Sequence, residues 1–312
     1  MAASLRYSVH QYGAHELQRV GVWDVDIAAE AKYWIVYIHG GAWRDPRVTH
    51  ETFAPIITGV LEETGRADAA PPPPVAAFAS LDYRLSPHPG FPQDAATTPA
   101  ARLRAARHPD HLDDARAALA FLQRRFGFGA RYVLAGHSAG ACLAYQALLW
   151  PSAAAAAAAP LAPPRAVLGL EGIYDLRGAD ARAAGAYAEF LAAAFGPRGP
   201  AWDAASPALA RGASPYGGVP GLALAALGHS PDDELVDAAE TAAMAARLRA
   251  DGVVEDATAA ADRPRLLLVD GLRGSHDHVW QDGAAVARAL LRILALLEAR
   301  DRAAAAGTTG SP

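Results

Sequence analysis

The pentapeptide Gly136-His137-Ser138-Ala139-Gly140 constrains the fold of this chain more than any other stretch. A β-type run precedes it at residues 131–135, and a helix-forming run follows it at residues 141–150. A G-x-S-x-G sequence between a strand and a helix is typical of a nucleophile elbow, where the serine occupies a sharp turn and the glycines avoid clashes. These flanks favour an elbow over a chance glycine-rich turn. They predict that Ser138 lies at the carboxyl end of a strand, with a helix N-terminus behind it.

Strand-like and helix-like patterns alternate along the rest of the chain. Apolar runs predict buried strands at residues 33–38, 75–82, 166–170, 222–227 and 265–269, and a partly alternating pattern predicts an edge-type strand at 20–27. Helical patterns lie between these runs, and the last helix is predicted to begin near residue 282. This alternation predicts an α/β fold with a mostly parallel central sheet and helices on both faces.

The domain organisation is predicted to be simple. No internal repeat and no shift in composition divides the chain, so residues 1–301 are expected to form a single domain. Residues 176–218 lack a clear β pattern and are predicted to form a small cap or lid over the sheet. The proline-rich segment 65–74 and the Ala/Pro-rich segment 152–164 are interpreted as surface insertions, and residues 302–312 as a disordered tail.

Composition excludes several classes of function. Hydrophobic residues make up 52% of the 312 residues, enough for a large core. The net charge of -5, without a compact Lys/Arg block, disfavours a nucleic-acid partner. Cys142 is the single cysteine, so no intrachain disulfide can form, which suits a reducing compartment. No secretory signal pattern and no membrane-spanning stretch is recognised, so a cytoplasmic location without membrane association is expected.

A serine nucleophile requires a base and a set of oxyanion donors. The donors are predicted to come from a glycine-rich loop directly after the strand at 33–38. That loop reads His39-Gly40-Gly41-Ala42-Trp43. The backbone N–H groups of Gly40 and Gly41, together with that of Ala139, would form an oxyanion hole of the esterase and lipase type. His39 itself is interpreted as an anchor of this loop and not as the base.

The acid and the histidine of such a site are expected after Ser138, with the acid first. His276 and His278 both follow the strand at 265–269. Candidate acids follow the strand at 222–227; they are Asp232, Asp233 and Glu234. Asp175, after the preceding strand, is an alternative acid. Spacing alone does not choose between Asp232 and Asp233, or between His276 and His278.

Taken together, these motifs resemble those of the fungal kynurenine formamidases, α/β-hydrolases related to the hormone-sensitive-lipase-like esterases. The resemblance extends from about residue 12 to the last helix. Besides the elbow and the His39 loop, the stretches that carry it are Trp43-Arg44-Asp45-Pro46, Tyr83-Arg84-Leu85-Ser86-Pro87, Glu171-Gly172-Ile173-Tyr174-Asp175-Leu176, His229-Ser230-Pro231-Asp232-Asp233-Glu234-Leu235 and Gly274-Ser275-His276-Asp277-His278-Val279-Trp280.

The resemblance implies a catalytic triad of Ser138, Asp233 and His276. It also implies hydrolysis of N-formyl-L-kynurenine to L-kynurenine and formate, a step of tryptophan degradation. The only partners implied are this small substrate and water, with no metal and no organic cofactor, and the chain would form a homodimer.

The aryl part of such a substrate would need an apolar pocket. The aromatic candidates for its wall are Trp43, Trp202, Tyr216 and Trp280. Two other functions remain open on the residues alone. One is a general carboxylesterase, because the triad does not distinguish an ester from an arylformamide. The other is a hydrolase fold that binds a small ligand without catalysis.

Overall fold

The computed structural model of this protein describes residues 5–27, 32–65, 75–149, 161–255 and 263–308. Within these ranges the strands are β1 (Arg6–Gln11), β2 (Arg19–Asp24), β3 (Tyr33–Ile38), β4 (Val75–Leu81), β5 (Tyr132–His137), β6 (Ala166–Leu170), β7 (Leu224–Gly228) and β8 (Arg265–Val269). They form one sheet in the order β1-β2-β4-β3-β5-β6-β7-β8. The β1–β2 and β2–β4 pairs are antiparallel, and the pairs from β4 to β8 are parallel.

Helices cover both faces of this sheet. Their bounds are α1 (Ala54–Thr64), α2 (Asp110–Phe126), α3 (Ala139–Leu148), α4 (Leu176–Arg182), α5 (Ala188–Phe195), α6 (Pro200–Ala205), α7 (Ala238–Ala250), α8 (His278–Asp282) and α9 (Ala284–Thr308). Successive β3 side chains enter different cores. Trp34, Val36 and Ile38 join residues of α2, α3 and α7, whereas Tyr37 joins residues of α1 and α9. Because β3 is buried on both faces, its sequence is a continuous apolar run. The predicted α/β fold with a mostly parallel sheet is confirmed.

The structure corrects the prediction for the first strands. Residues 20–27 were expected to form an edge strand, but β2 lies between β1 and β4. The edge strand on this side of the sheet is β1, where five of the six residues are exposed. Because β1 has no buried apolar face, its sequence shows no hydrophobic pattern from which a strand could be predicted.

The segment between β6 and β7 contains no strand. It holds α4, α5, α6 and a short 3₁₀ turn at Pro207–Leu209. This helical content agrees with the cap expected at residues 176–218, whose role as a lid stays a prediction.

The C-terminal helix is longer than the sequence suggested. α9 ends at Thr308, so the prediction of a disordered tail is wrong for residues 302–308. Four consecutive alanines in this stretch have the highest intrinsic helix propensity, which explains the continuation. The proline run at 71–74 and residues 152–160 of the Ala/Pro-rich segment lie outside the described residues. Among the helices that are described, none is both long and apolar enough to cross a membrane.

Candidate active site

Ser138 lies in a strained turn between β5 and α3. Its backbone adopts φ 54° and ψ -121°, a conformation rare for a residue with a side chain. A Cβ atom on Gly136 would overlap the carbonyl oxygen of Gly140, and one on Gly140 would overlap that of Ile38. Only glycine therefore fits at these two positions. The strand, turn and helix expected around the pentapeptide are all present.

The glycine-rich loop after β3 runs alongside this turn. A Cβ atom on Gly40 would lie 3.0 Å from the Cβ of Ser138, so the two backbones approach closely. Within the described part of the chain, no hydrogen bond is donated by the N–H groups of Gly40 and Gly41. Ala139 is the first residue of α3, where an N–H group has no partner within the helix. Among the described residues, these three N–H groups therefore have no hydrogen-bond acceptor, and their part in an oxyanion hole stays a prediction.

A buried carboxylate and a tyrosine hold this loop in place. Asp82 accepts hydrogen bonds from the backbone N–H and the Nδ1 of His50, at 2.5 and 2.8 Å, and lies 3.5 Å from the Nε2 of His39. Burial alone would raise the pKa of Asp82, but its hydrogen bonds to the two histidines outweigh that effect and lower it. The hydroxyl of Tyr83 donates to the carbonyl oxygen of Gly40 at 3.0 Å. His39 stacks on the Tyr83 ring, in agreement with its predicted part as an anchor.

The loops after β7 and β8 bring Asp233 and His276 together. The His276 Nδ1–H donates to Oδ2 of Asp233 at 2.9 Å, and the Asp233 side chain is fully buried. The other carboxylate oxygen accepts the backbone N–H groups of Leu235 and Val236 at 2.9 and 2.8 Å. Burial tends to raise the pKa of Asp233, but the His276 hydrogen bond and charge and these N–H donors outweigh it, so the pKa is lowered. An ionised carboxylate is therefore fixed behind the imidazole.

The alternative acids and the alternative histidine lie elsewhere. Asp232 is exposed, and its carboxylate accepts the backbone N–H of Gly274 at 3.0 Å. Asp175 caps α4 by accepting a backbone N–H. His278 is exposed at the start of α8. Spacing did not choose between Asp232 and Asp233, or between His276 and His278. In the structure, only the Asp233 and His276 side chains are buried and in direct contact with each other.

Ser138 and His276 line the same cavity, which has a volume of about 280 Å³. One side of it is apolar, with contributions from Ile173, Phe190 and Val236. The volume lies near the lower end of the range for small-molecule sites, and an apolar lining with few polar groups is usual for them.

Two side chains of opposite charge occupy the cavity wall at adjacent positions. Arg44 donates from Nη1 to Oε2 of Glu189 at 2.6 Å, and its guanidinium lies 5.6 Å from the centre of the Phe190 ring. Asp45 accepts two hydrogen bonds from the guanidinium of Arg47, at 3.0 and 2.7 Å. These hydrogen bonds lower the pKa of Asp45, which is therefore an anion at neutral pH.

The aromatic wall predicted from sequence is wrong for this cavity, because Trp43, Trp202, Tyr216 and Trp280 are all absent from its lining. Trp43 is fully buried, as are Trp202 and Tyr216, whose polar atoms are hydrogen-bonded to backbone carbonyls in the core. Trp280 is partly buried and packs against the core that contains residues of α1 and α9. Large aromatic side chains contribute most when fully buried, which explains their position. The apolar wall instead comes partly from α5, which carries no recognisable motif.

One cluster within the described residues has the spacing of a metal site. His137, Glu171 and His276 each place one donor atom within 4.8 Å of the others. These atoms are already engaged in hydrogen bonds with one another and with Asp233. We therefore interpret them as a hydrogen-bonded network and not as metal ligands. No function was predicted from the sequence for the side chains of His137 and Glu171.

The sequence of the chain is similar to those of curated fungal enzymes, although no family model matches it. It is 36% identical over 272 residues to a kynurenine formamidase of Aspergillus versicolor, a match that covers 80% of this chain and 84% of the relative. It is 36% identical over 263 residues to a kynurenine formamidase-like hydrolase of Fusarium equiseti, covering 82% and 80% of the two chains. A kynurenine formamidase of Meyerozyma guilliermondii is 32% identical over 167 residues, covering 53% of this chain and 52% of the relative.

Solved structures with the same architecture include esterases and lipases. An esterase/lipase from an uncultured bacterium superposes with a TM-score of 0.61 at 18% identity, over 96% of this chain and 86% of the other. Esterase B of Lactobacillus rhamnosis gives a TM-score of 0.66 at 14% identity, over 96% and 88%. At these identities the likeness establishes the α/β-hydrolase fold alone.

Proposed function

Because the chain belongs to the family of fungal kynurenine formamidases, we propose that it hydrolyses N-formyl-L-kynurenine to L-kynurenine and formate, a step of tryptophan degradation. The observation that carries this proposal is that His276, held by the buried carboxylate of Asp233, lines the same cavity as the elbow serine Ser138. The homodimer implied by the family resemblance stays a prediction.

In the proposed first step, His276 acts as the base. Its Nδ1–H is held by Asp233, so its Nε2 is the nitrogen available to accept the proton of Ser138. The Ser138 oxygen then attacks the formyl carbon, and the carbonyl electron pair moves onto oxygen. The N–H groups of Gly40, Gly41 and Ala139 would stabilise that oxyanion.

The second step breaks the C–N bond. When the oxyanion collapses, the C–N electron pair leaves with the arylamine, and His276 returns its proton to that nitrogen. L-Kynurenine departs and a formyl ester remains on Ser138. His276 then takes a proton from water, and the hydroxide attacks the ester carbon. The tetrahedral intermediate collapses, the ester C–O bond breaks, and Ser138 regains its proton from His276. Formic acid departs and loses its proton to solvent as formate. The ionised Asp233 stabilises the imidazolium in both halves of the reaction.

A carboxylesterase acting on small or aryl esters is the second candidate. The observation that favours it is a relative that is described only as a formamidase-like hydrolase. The same triad would serve both reactions, so the two candidates differ in the leaving group and not in the nucleophile.

The substrate test compares kcat/KM for N-formyl-L-kynurenine and for p-nitrophenyl acetate on the same purified protein. We expect a preference of about 10²-fold or more for the formamide, because a site shaped for one substrate's polar groups discriminates strongly against compounds that lack them. Turnover of the ester with N-formyl-L-kynurenine left intact would contradict the proposal and favour the esterase.

Arg44 is expected to bind the carboxylate of the substrate's amino-acid end, with Asp45 near its ammonium group. Replacing Arg44 by glutamine should raise KM for N-formyl-L-kynurenine by about tenfold or more, since a charge-assisted hydrogen bond contributes about 1.5–3 kcal/mol. KM for formanilide, which has no amino-acid group, should not change. The matched control is Arg177→Gln, because Arg177 pairs with Asp203 outside the cavity. An equal loss on both substrates would argue against this contact.

A further inference from the structure

Glu171 is a buried acid that the mechanism above does not use. It is the first residue after β6, its side chain is inaccessible to solvent, and its backbone has φ 50°. A left-handed conformation costs about 1–3 kcal/mol for a residue with a side chain, and it persists only where the surroundings impose it. The contacts of the carboxyl group are therefore expected to hold this residue in its conformation.

The Glu171 side chain touches all three loops that carry the proposed triad. Its Oε2 lies 3.1 Å from Nε2 of His137, the residue before Ser138. Its Oε1 accepts the backbone N–H of Ser230, at 3.3 Å, in the loop that leads to Asp233. The same Oε2 lies 3.6 Å from Nδ1 of His276. One carboxyl group therefore lies at the junction of the loops after β5, β7 and β8.

The hydrogen on His137 can be assigned from its partners. Its Nε2 lies 3.1 Å from the backbone carbonyl oxygen of His276, which can only accept. Nε2 must therefore carry a hydrogen, and the same N–H is directed at Oε2 of Glu171. Burial, with the nearby His276, lowers the pKa of His137 well below its usual value, so the ring is neutral. His137 thus acts as a fixed donor between the elbow and the loop of His276.

The charge of Glu171 is set by its neighbours. The titratable groups that face it are Tyr37 from β3, His137 from β5, Asp233 and Glu234 from the loop after β7, and His276 and Asp277 from the loop after β8. Burial, and then the charge of Asp233, raise the pKa of Glu171 to about 9. At neutral pH it is an uncharged acid, and Asp233 is the ionised partner of His276.

We propose that Glu171 is a positioning residue that joins the loops of Ser138, Asp233 and His276 and keeps the imidazole aligned with the serine. Ionisation would place a second carboxylate beside Asp233 in a buried site. Like charges repel strongly there, so the loop junction would open and activity would fall at alkaline pH. This inference rests on the proposed serine-hydrolase site but not on the identity of its substrate.

The test uses p-nitrophenyl acetate, so that it does not depend on formamide turnover. We expect kcat/KM of the wild type, corrected with Ser138→Ala as the blank, to fall above about pH 9. Glu171→Gln keeps a neutral group of the same shape, so it should lie within about threefold of the wild type at pH 7 and lack the alkaline fall. Glu171→Ala removes the contacts and should lose about 10- to 100-fold, the effect of about 1–3 kcal/mol. Glu240→Gln changes another buried glutamate and should keep the wild-type pH profile.

Several results would overturn the proposal. One is a wild-type profile with no alkaline fall, which needs no variant. Others are a Glu171→Gln profile that falls as the wild type does, or full activity in Glu171→Ala. If the ester results appear as expected while N-formyl-L-kynurenine is not hydrolysed, the formamidase function fails and the positioning role of Glu171 is retained.

Discussion

Replacing Asp233 by asparagine is expected to lower kcat for formate release from N-formyl-L-kynurenine by about 10⁴-fold, the loss known when a triad carboxylate becomes an amide. The Asp233 carboxylate accepts the Nδ1–H of His276 at 2.9 Å, and its other oxygen is fixed by two backbone N–H groups. An amide that presents its NH₂ to the ring would instead stabilise the tautomer with its hydrogen on Nε2. That nitrogen could then no longer accept the serine proton.

Asp232 provides the matched control for this change. It is the preceding residue, carries the same carboxylate, and is exposed with one hydrogen bond to the N–H of Gly274. Asp232→Asn should stay within about threefold of the wild type, as surface substitutions usually do. A large loss in Asp232→Asn together with a small one in Asp233→Asn would reverse the assignment of the acid.

The parallel part of the fold could be predicted from sequence because its strands are short apolar runs, and β3 to β7 are fully buried. β6 and β8 begin and end at the residues expected, since each is a short apolar run bounded by loop-forming residues. β1 could not be predicted in the same way. Its side chains are mostly exposed, and its position is determined by pairing with β2 and not by an apolar pattern of its own.

The elbow and the glycine-rich loop were predictable because local geometry dictates their sequence. Gly136 and Gly140 occupy positions where a Cβ atom does not fit, because another stretch of backbone lies too close. The two glycines of the motif are therefore required by the local geometry. The choice between Asp232 and Asp233 was different. Both follow β7, and only the fold shows that one carboxylate is buried against His276 while the other faces solvent.

The apolar wall of the cavity could not be predicted from the sequence. The aromatic residues that looked suitable are core residues, and Phe190 lines the cavity through the position of a short helix between β6 and β7. Glu171 was missed for a related reason. Its significance lies in contacts to His137, Ser230 and His276, which are distant in sequence and converge only where neighbouring parallel strands end.

Ser138→Ala is expected to have the largest effect of any single change. Without the hydroxyl no acyl-enzyme can form, and removal of a triad serine lowers kcat by about 10⁶-fold in a well-studied case. The backbone donors of the oxyanion hole remain, so a small residual rate above the uncatalysed one is expected. Ser275→Ala is the matched control, because Ser275 is exposed next to His276 and its side chain lies outside the cavity lining.

The most direct measurement is formate release from N-formyl-L-kynurenine by the wild type, Ser138→Ala and Ser275→Ala, with fluorophosphonate labelling of the same samples. The proposed mechanism predicts that Ser138→Ala loses both formate release and labelling by at least about 10⁴-fold. Ser275→Ala should keep both within about threefold. Formate release from Ser138→Ala at the wild-type rate would contradict a mechanism centred on the elbow serine.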